Sequence, residues 1–142
     1  MTKDGAGSLT RLHHVGFVVE RIEESIPQFV RSLGAQCSSE IFIDPIQNVK
    51  VVFLTTAAGD AQIELVQANA ADSPVSRFLA KSGPGLHHLC YEVEDIEETL
   101  AQMRTHGSLL AKPPRPAVAF GGRRIAWVLT KERLLVEVLE AK

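Results

Sequence analysis

Residues 12–19 alternate with a period of two. Val15, Phe17 and Val19 form a bulky apolar face, while His14, Gly16 and Val18 form a smaller, mixed one. Successive side chains of a strand point to opposite faces, so the pattern predicts a strand covered on its bulky side by a helix. The helix follows at once. Ile22, Ile26, Phe29, Val30 and Leu33 fall on one helical stripe, and Gly34 is placed to stop it. Pro27 is tolerable near the first turn and would kink the helix deeper in. Residues 49–55 and 61–67 predict two strands joined by the turn-like Ala57-Ala58-Gly59-Asp60, with residues 40–43 as an extra strand.

The pattern then returns at an offset of 74 residues. Leu12-His13-His14-Val15 becomes Leu86-His87-His88-Leu89, and Glu20 and Ile22-Glu23-Glu24 become Glu94 and Ile96-Glu97-Glu98. Leu89, Tyr91 and Val93 oppose His88, Cys90 and Glu92. Ile96, Leu100 and Met103 make the second helical stripe, which Gly107 ends. Residues 124–129 and 134–139 predict the paired strands, with 130–133 as their turn, and Val51-Val52-Phe53 matches Ile125-Ala126-Trp127 at the same offset. The strand near Leu109 and Leu110 is the weaker counterpart of 40–43. A repeat of this quality means two copies of one supersecondary unit: strand, helix, then two or three strands. Between them, Ser73-Pro74 reads as an N-cap with proline at the first helical position, Phe78 and Leu79 face the core, and Gly83-Pro84-Gly85 breaks the short helix. Pro113 to Gly122 reads as an irregular loop leading into Arg123 and Arg124. Two readings stay open for it, a lid or anion contact and a solvated surface loop.

The first ten residues are small and polar and read as a loose arm, not a secretory leader. A net charge of -2 lacks the basic excess that nucleic acid requires, and the apolar runs are too short to cross a bilayer. Cys37 and Cys90 make no disulfide framework, so a reducing cytoplasm is the default.

Period-two alternation puts His14 and His88 on the face away from each helix, and His13 and His87 behind them. The last strand of each copy adds an acid to that same face: Glu64, opposite Ile63 and Leu65, and Glu137, between Leu135 and Leu139. A carboxylate between leucines is costly to bury unless it is paired or holds a metal. A lone strand histidine is ordinarily a packing residue, and a lone strand glutamate a solvated one. The joint pattern in both copies favours metal binding. Side by side about a pseudo-two-fold axis, the copies would bring His14, Glu64, His88 and Glu137 to one divalent first-row ion with open positions. Cys90 would line that site. Glu23, Glu24, Glu97 and Glu98 read as first-turn acids that suit the helix dipole, and His106 as a helix-end surface residue.

Paired modules with histidine at each start and glutamate at each end resemble the vicinal oxygen chelate (glyoxalase/bleomycin resistance/dioxygenase) superfamily. More narrowly, residues 12–16, 72–81 and 85–93 resemble the methylmalonyl-CoA epimerase family. The resemblance implies an α+β fold in which two tandem βαβββ modules, about 11–68 and 85–140 with a linker helix at 73–82, form one domain with a cup-shaped mixed sheet around the metal. It implies His14, Glu64, His88 and Glu137 as ligands to cobalt, manganese, nickel or zinc, a small-molecule substrate of acyl-CoA type, and a homodimer. The implied activity is an isomerase or epimerase moving a proton next to a thioester carbonyl. Some epimerases carry a catalytic glutamate where this chain has Val51, beside Lys50, so the proton would fall to Glu137 as ligand and base together. Arg123, Arg124 and Lys131 would be candidate phosphate or carboxylate contacts. The alternatives are a glyoxalase-type lyase or another isomerase on the same metal cup, and a non-catalytic binding module.

Overall fold

The computed structural model describes residues 9–56 and 62–142. The turn expected at Ala57-Ala58-Gly59-Asp60 and most of the expected arm lie outside the described residues. Leu9 and Thr10, expected in the arm, belong to the first strand. The fold is mixed α+β, with nine strands and three α-helices among the described residues. No helix among them is long and apolar enough to cross a membrane. The chain divides into two compact units, His14–His87 and the segment before His14 together with His88–Lys142. Each change of unit falls between the two histidines of a His-His pair.

The His14–His87 unit holds most of β1 (Leu9–Val18), then α1 (Ile22–Leu33), β2 (Gln36–Cys37), β3 (Phe42–Asp44), β4 (Val49–Thr55), β5 (Gln62–Ala68) and α2 (Pro74–Ser82). Its strands run in the order β2-β4-β5-β1, with β3 also on β4. β1 and β5 are parallel and the other pairs antiparallel. Phe17, Ile26 and Phe29 pack on a core of Val19, Ile22, Ala35, Val52, Leu54 and Leu65, so the odd face of β1 meets α1 as the alternation predicts. Val30 and Leu33 depart from the expected stripe: they are 41% and 60% exposed. Gly34 ends the helix in the left-handed region at φ 66°, a conformation cheap for glycine. The helix runs through Pro27. Arg21 offers its start no side-chain cap, and Gln67 Oε1 on β5 accepts from the Ile22 amide at 2.8 Å instead.

The second unit holds most of β6 (Gly85–Val93), α3 (Ile96–Thr105), β7 (Leu109–Pro116), a 3-10 turn at Val118–Phe120, β8 (Arg124–Leu129) and β9 (Leu135–Glu140). Their order is β6-β9-β8-β7, with β6 and β9 parallel. Tyr91, Leu100 and Met103 pack on Val93, Ile96, Ala126, Val128, Val136 and Val138. Asp95 caps α3 directly, accepting from the Glu98 amide at 2.9 Å.

Two expectations change here. The stretch from Pro113 to Pro116 is strand, not loop. β7 is the edge of its unit, with register shifts, and an edge tolerates prolines because it needs no further ladder donors. In α2, Val75 is the buried residue, while Phe78 and Leu79 are half-buried.

Candidate functional site

In the first unit, β1 and β5 run in parallel register with Gly16 beside Glu64, and β4 sets Phe53 opposite Glu64. Directly opposed residues share a face, so His14, Glu64 and Phe53 all point away from α1. His14 is fully buried and Glu64 is 5% exposed. His14 Nε2 lies 3.3 Å from Glu64 Oε1. The Phe53 ring stands edge-on to the imidazole, centroids 5.3 Å apart at 68°.

The second unit repeats this register for register. Cys90 lies beside Glu137 and Trp127 opposite it. His88 and Glu137 are both buried, with His88 Nε2 again 3.3 Å from Glu137 Oε1. Trp127 stands edge-on to His88, centroids 4.7 Å apart at 86°. Cys90 is fully buried against Ala117, Ile125 and Leu139.

Each of the four side chains offers one ligand atom. An imidazole nitrogen and a carboxylate oxygen at this distance, away from water, repel unless a proton or a cation lies between them. Nitrogen and oxygen donors of this kind fit a divalent first-row ion, and the residues present in each unit fit the group the sequence implies.

The histidines behind the pairs take packing roles. His13 stands edge-on to Phe120 at 5.4 Å, and His87 to Phe78 at 4.9 Å. His106 is the exposed C-cap of α3. Val51 is buried and opposes Val66, on the face that carries Glu64. Lys50 points the other way, where its Nζ meets Glu23 at 2.8 Å, so it is turned from the pair. That bond lowers the Glu23 carboxyl below its ordinary value.

The arginines expected as anion contacts are committed to carboxylates. Arg123 Nη1 donates to Glu92 at 2.7 Å and to the Glu140 carbonyl at 3.2 Å, and Arg11 Nε donates to the other Glu92 oxygen at 2.7 Å. Burial pushes the Glu92 carboxyl up, but these bonds outweigh it and hold it below the usual range. Arg124 binds Glu97 at 2.8 Å and Glu140 at 2.9 Å, which raises its own proton affinity further. The segment after β7 is packed, not poised as a lid: Ala117 is buried, and its amide and carbonyl tie the turn to Arg123 and Gly122.

Sequence reasoning overlooked the rings behind the His-Glu pairs. Their signal was present, since Phe53 and Trp127 stand at the same 74-residue offset as His14 and His88.

A family profile described as Glyoxalase/Bleomycin resistance protein/Dioxygenase superfamily matches residues 13–127. The uncharacterized protein YqjC of Bacillus subtilis is 32% identical, over 94% of this chain and 94% of its own. The ethylmalonyl-CoA/methylmalonyl-CoA epimerase of Cereibacter sphaeroides is 30% identical, over 86% of this chain and 90% of its own. Among solved structures, the methylmalonyl-CoA epimerase of Mycobacterium tuberculosis superposes with a TM-score of 0.84 at 26% identity, over 100% of this chain and 93% of that one.

Proposed function

Because the chain belongs to the glyoxalase/bleomycin resistance/dioxygenase superfamily, we propose that it is a metal-dependent epimerase of an acyl-CoA, in which the two His-Glu pairs are halves of one centre. His14, Glu64, His88 and Glu137 would hold a divalent ion (cobalt, manganese, nickel or zinc). Bound there, the ion would supply Lewis-acid polarisation of a thioester carbonyl oxygen.

The chain's own residues would do the rest. Phe53 and Trp127 fix the two imidazole rings by edge contacts and keep water from their flanks. Glu137, buried beside His88, would take the proton from the carbon next to the carbonyl, and inversion would require an acid on the opposite face of the enolate to return one. Val51 carries no transferable proton and Lys50 is engaged with Glu23, so neither serves as the second acid/base group. The observation that carries the reading is the doubled pair, one buried carboxylate 3.3 Å from one buried imidazole in each unit. The 30% identity to an ethylmalonyl-CoA/methylmalonyl-CoA epimerase supports the substrate class.

The test is to incubate the protein and each metal with methylmalonyl-CoA in heavy water and read deuterium at C2 by mass spectrometry. Uptake that needs both metal and Glu137 is expected. No uptake with any of the metals retires the epimerase. Val51 gives weight to a second reading, a glyoxalase-type lyase or other isomerase on the same centre, which would consume a glutathione thiohemiacetal instead. Elemental analysis after gel filtration separates both from a non-catalytic module and reports the expected homodimer.

A further inference from the structure

One row of the second unit departs from its counterpart in the first. Leu109 pairs Leu129, and Leu129 pairs Leu135, so three leucines share one face across β7, β8 and β9. Two residues along β8 and β9 on that face stand Trp127 and Glu137. The row is incompletely covered: Leu109 is 67% exposed, and Leu129 and Leu135 are half-buried. In the first unit the corresponding row is polar. Gln36 pairs Thr55, Thr55 pairs Gln62, and Gln62 Oε1 accepts from Ser38 at 2.9 Å. The leucines are therefore a property of one unit and not of the repeated framework.

Small-molecule sites combine an apolar lining with a few placed polar groups. Here the polar group is the His88–Glu137 pair and the adjoining apolar surface on the same face is the leucine row. A carbon acid of the proposed class carries both kinds of group on its reacting carbon: a carbonyl that belongs at the pair and an alkyl branch that does not. We propose that Leu109, Leu129 and Leu135 form a shelf for that alkyl branch, so that the chain takes 2-alkylmalonyl thioesters with branches longer than methyl in preference to methyl itself. The shelf rests on the epimerase reading for its occupant and on strand register for its place.

The test is titration calorimetry of the metal-loaded protein with malonyl-, methylmalonyl-, ethylmalonyl- and butylmalonyl-CoA. Affinity should rise about threefold to fourfold per added methylene, the value of burying a CH2 group. Leu129→Gln and Leu135→Gln should flatten that slope. Leu109→Gln, on the exposed edge, tests the same point with the least disturbance of packing. Leu110→Gln is the control, because Leu110 pairs Val128 on the other face, and it should keep the slope. A flat series in the wild type overturns the shelf. So does a slope that survives all three row variants, or a row variant that only changes the oligomeric state in gel filtration. A binding slope without deuterium exchange retires the epimerase and leaves the shelf standing. Exchange with a flat slope does the reverse.

Discussion

The two units are built to the same register around their His-Glu pairs and to different plans one step away. Gly16, Glu64 and Phe53 in one occupy the places of Cys90, Glu137 and Trp127 in the other. Beyond that core, α1 starts on a cap lent by Gln67 while α3 starts on its own Asp95. Buried Val18 stands at the repeat position of Glu92, which is clamped by two arginines. Gln36, Thr55 and Gln62 form the row that Leu109, Leu129 and Leu135 form in the second unit. A buried carboxylate tolerates little change among the atoms around it, whereas a helix cap or a half-exposed row has several workable solutions. The two units thus agree at their buried His-Glu pairs and differ in the caps and rows around them.

The most severe way to break this equivalence is to delete one imidazole at a time. His88→Ala leaves Glu137 buried without its neighbour, and His14→Ala does the same to Glu64. Leaving a buried carboxylate without its partner costs about 3–5 kcal/mol, and the losses in the two units should be similar. Urea unfolding of the metal-free variants at pH 7 reads them. A loss below about 1 kcal/mol in one unit, as at solvated pairs, would show that its pair lies in water and that the halves are not equivalent. Added metal at 100 times its Kd should stabilise the wild type by about 2.7 kcal/mol and either variant much less.

A smaller effect is expected where the units differ outright. Glu92→Gln removes the charge that Arg11 and Arg123 share, at a cost of about 1.5–3 kcal/mol at pH 7. The pH dependence has a definite sign. The Glu92 carboxyl is held below its ordinary 4.5 in the folded chain, so at acid pH the unfolded chain binds the extra proton. Its contribution is complete above the unfolded value and is lost as pH falls through the folded one. The stability gap between wild type and variant should therefore narrow as pH falls below about 4.5. A gap that stays constant from pH 7 to pH 3 would mean the clamp contributes packing and no charge interaction.

The sequence made the alternating strands, both principal helices and the four candidate ligands legible, because each rests on short-range periodicity read twice. β4 spans Val49–Thr55 and β8 spans Arg124–Leu129 as the pattern predicts. What stayed illegible depends on pairing across strands. Proline content hides β7, since only its edge position makes Pro113 to Pro116 compatible with a ladder. The partners of Arg123 and Arg124 lie on other strands and on α3, so their charge reads from the chain as free when it is spent internally. Val30 and Leu33 carry the right spacing yet stay largely exposed, which no helical period can show.

The finest comparison uses the rings behind the imidazoles. Trp127 is the single tryptophan of the chain and its ring lies 4.7 Å from His88, so its fluorescence reports on the second unit alone. Trp127→Phe recreates the ring of the first unit and should cost about 1 kcal/mol, the range for a lost aromatic contact. In that background Phe53→Trp moves the reporter to His14, whose ring lies 5.3 Å from Phe53. Cobalt or manganese should quench both reporters. If the two pairs serve one ion, the quenching midpoints in the two proteins should coincide, and His88→Ala should weaken the response of a tryptophan placed at position 53. Two separate midpoints, or quenching at 53 that ignores His88, would mean that each unit binds its own ion and that the four residues are not one centre.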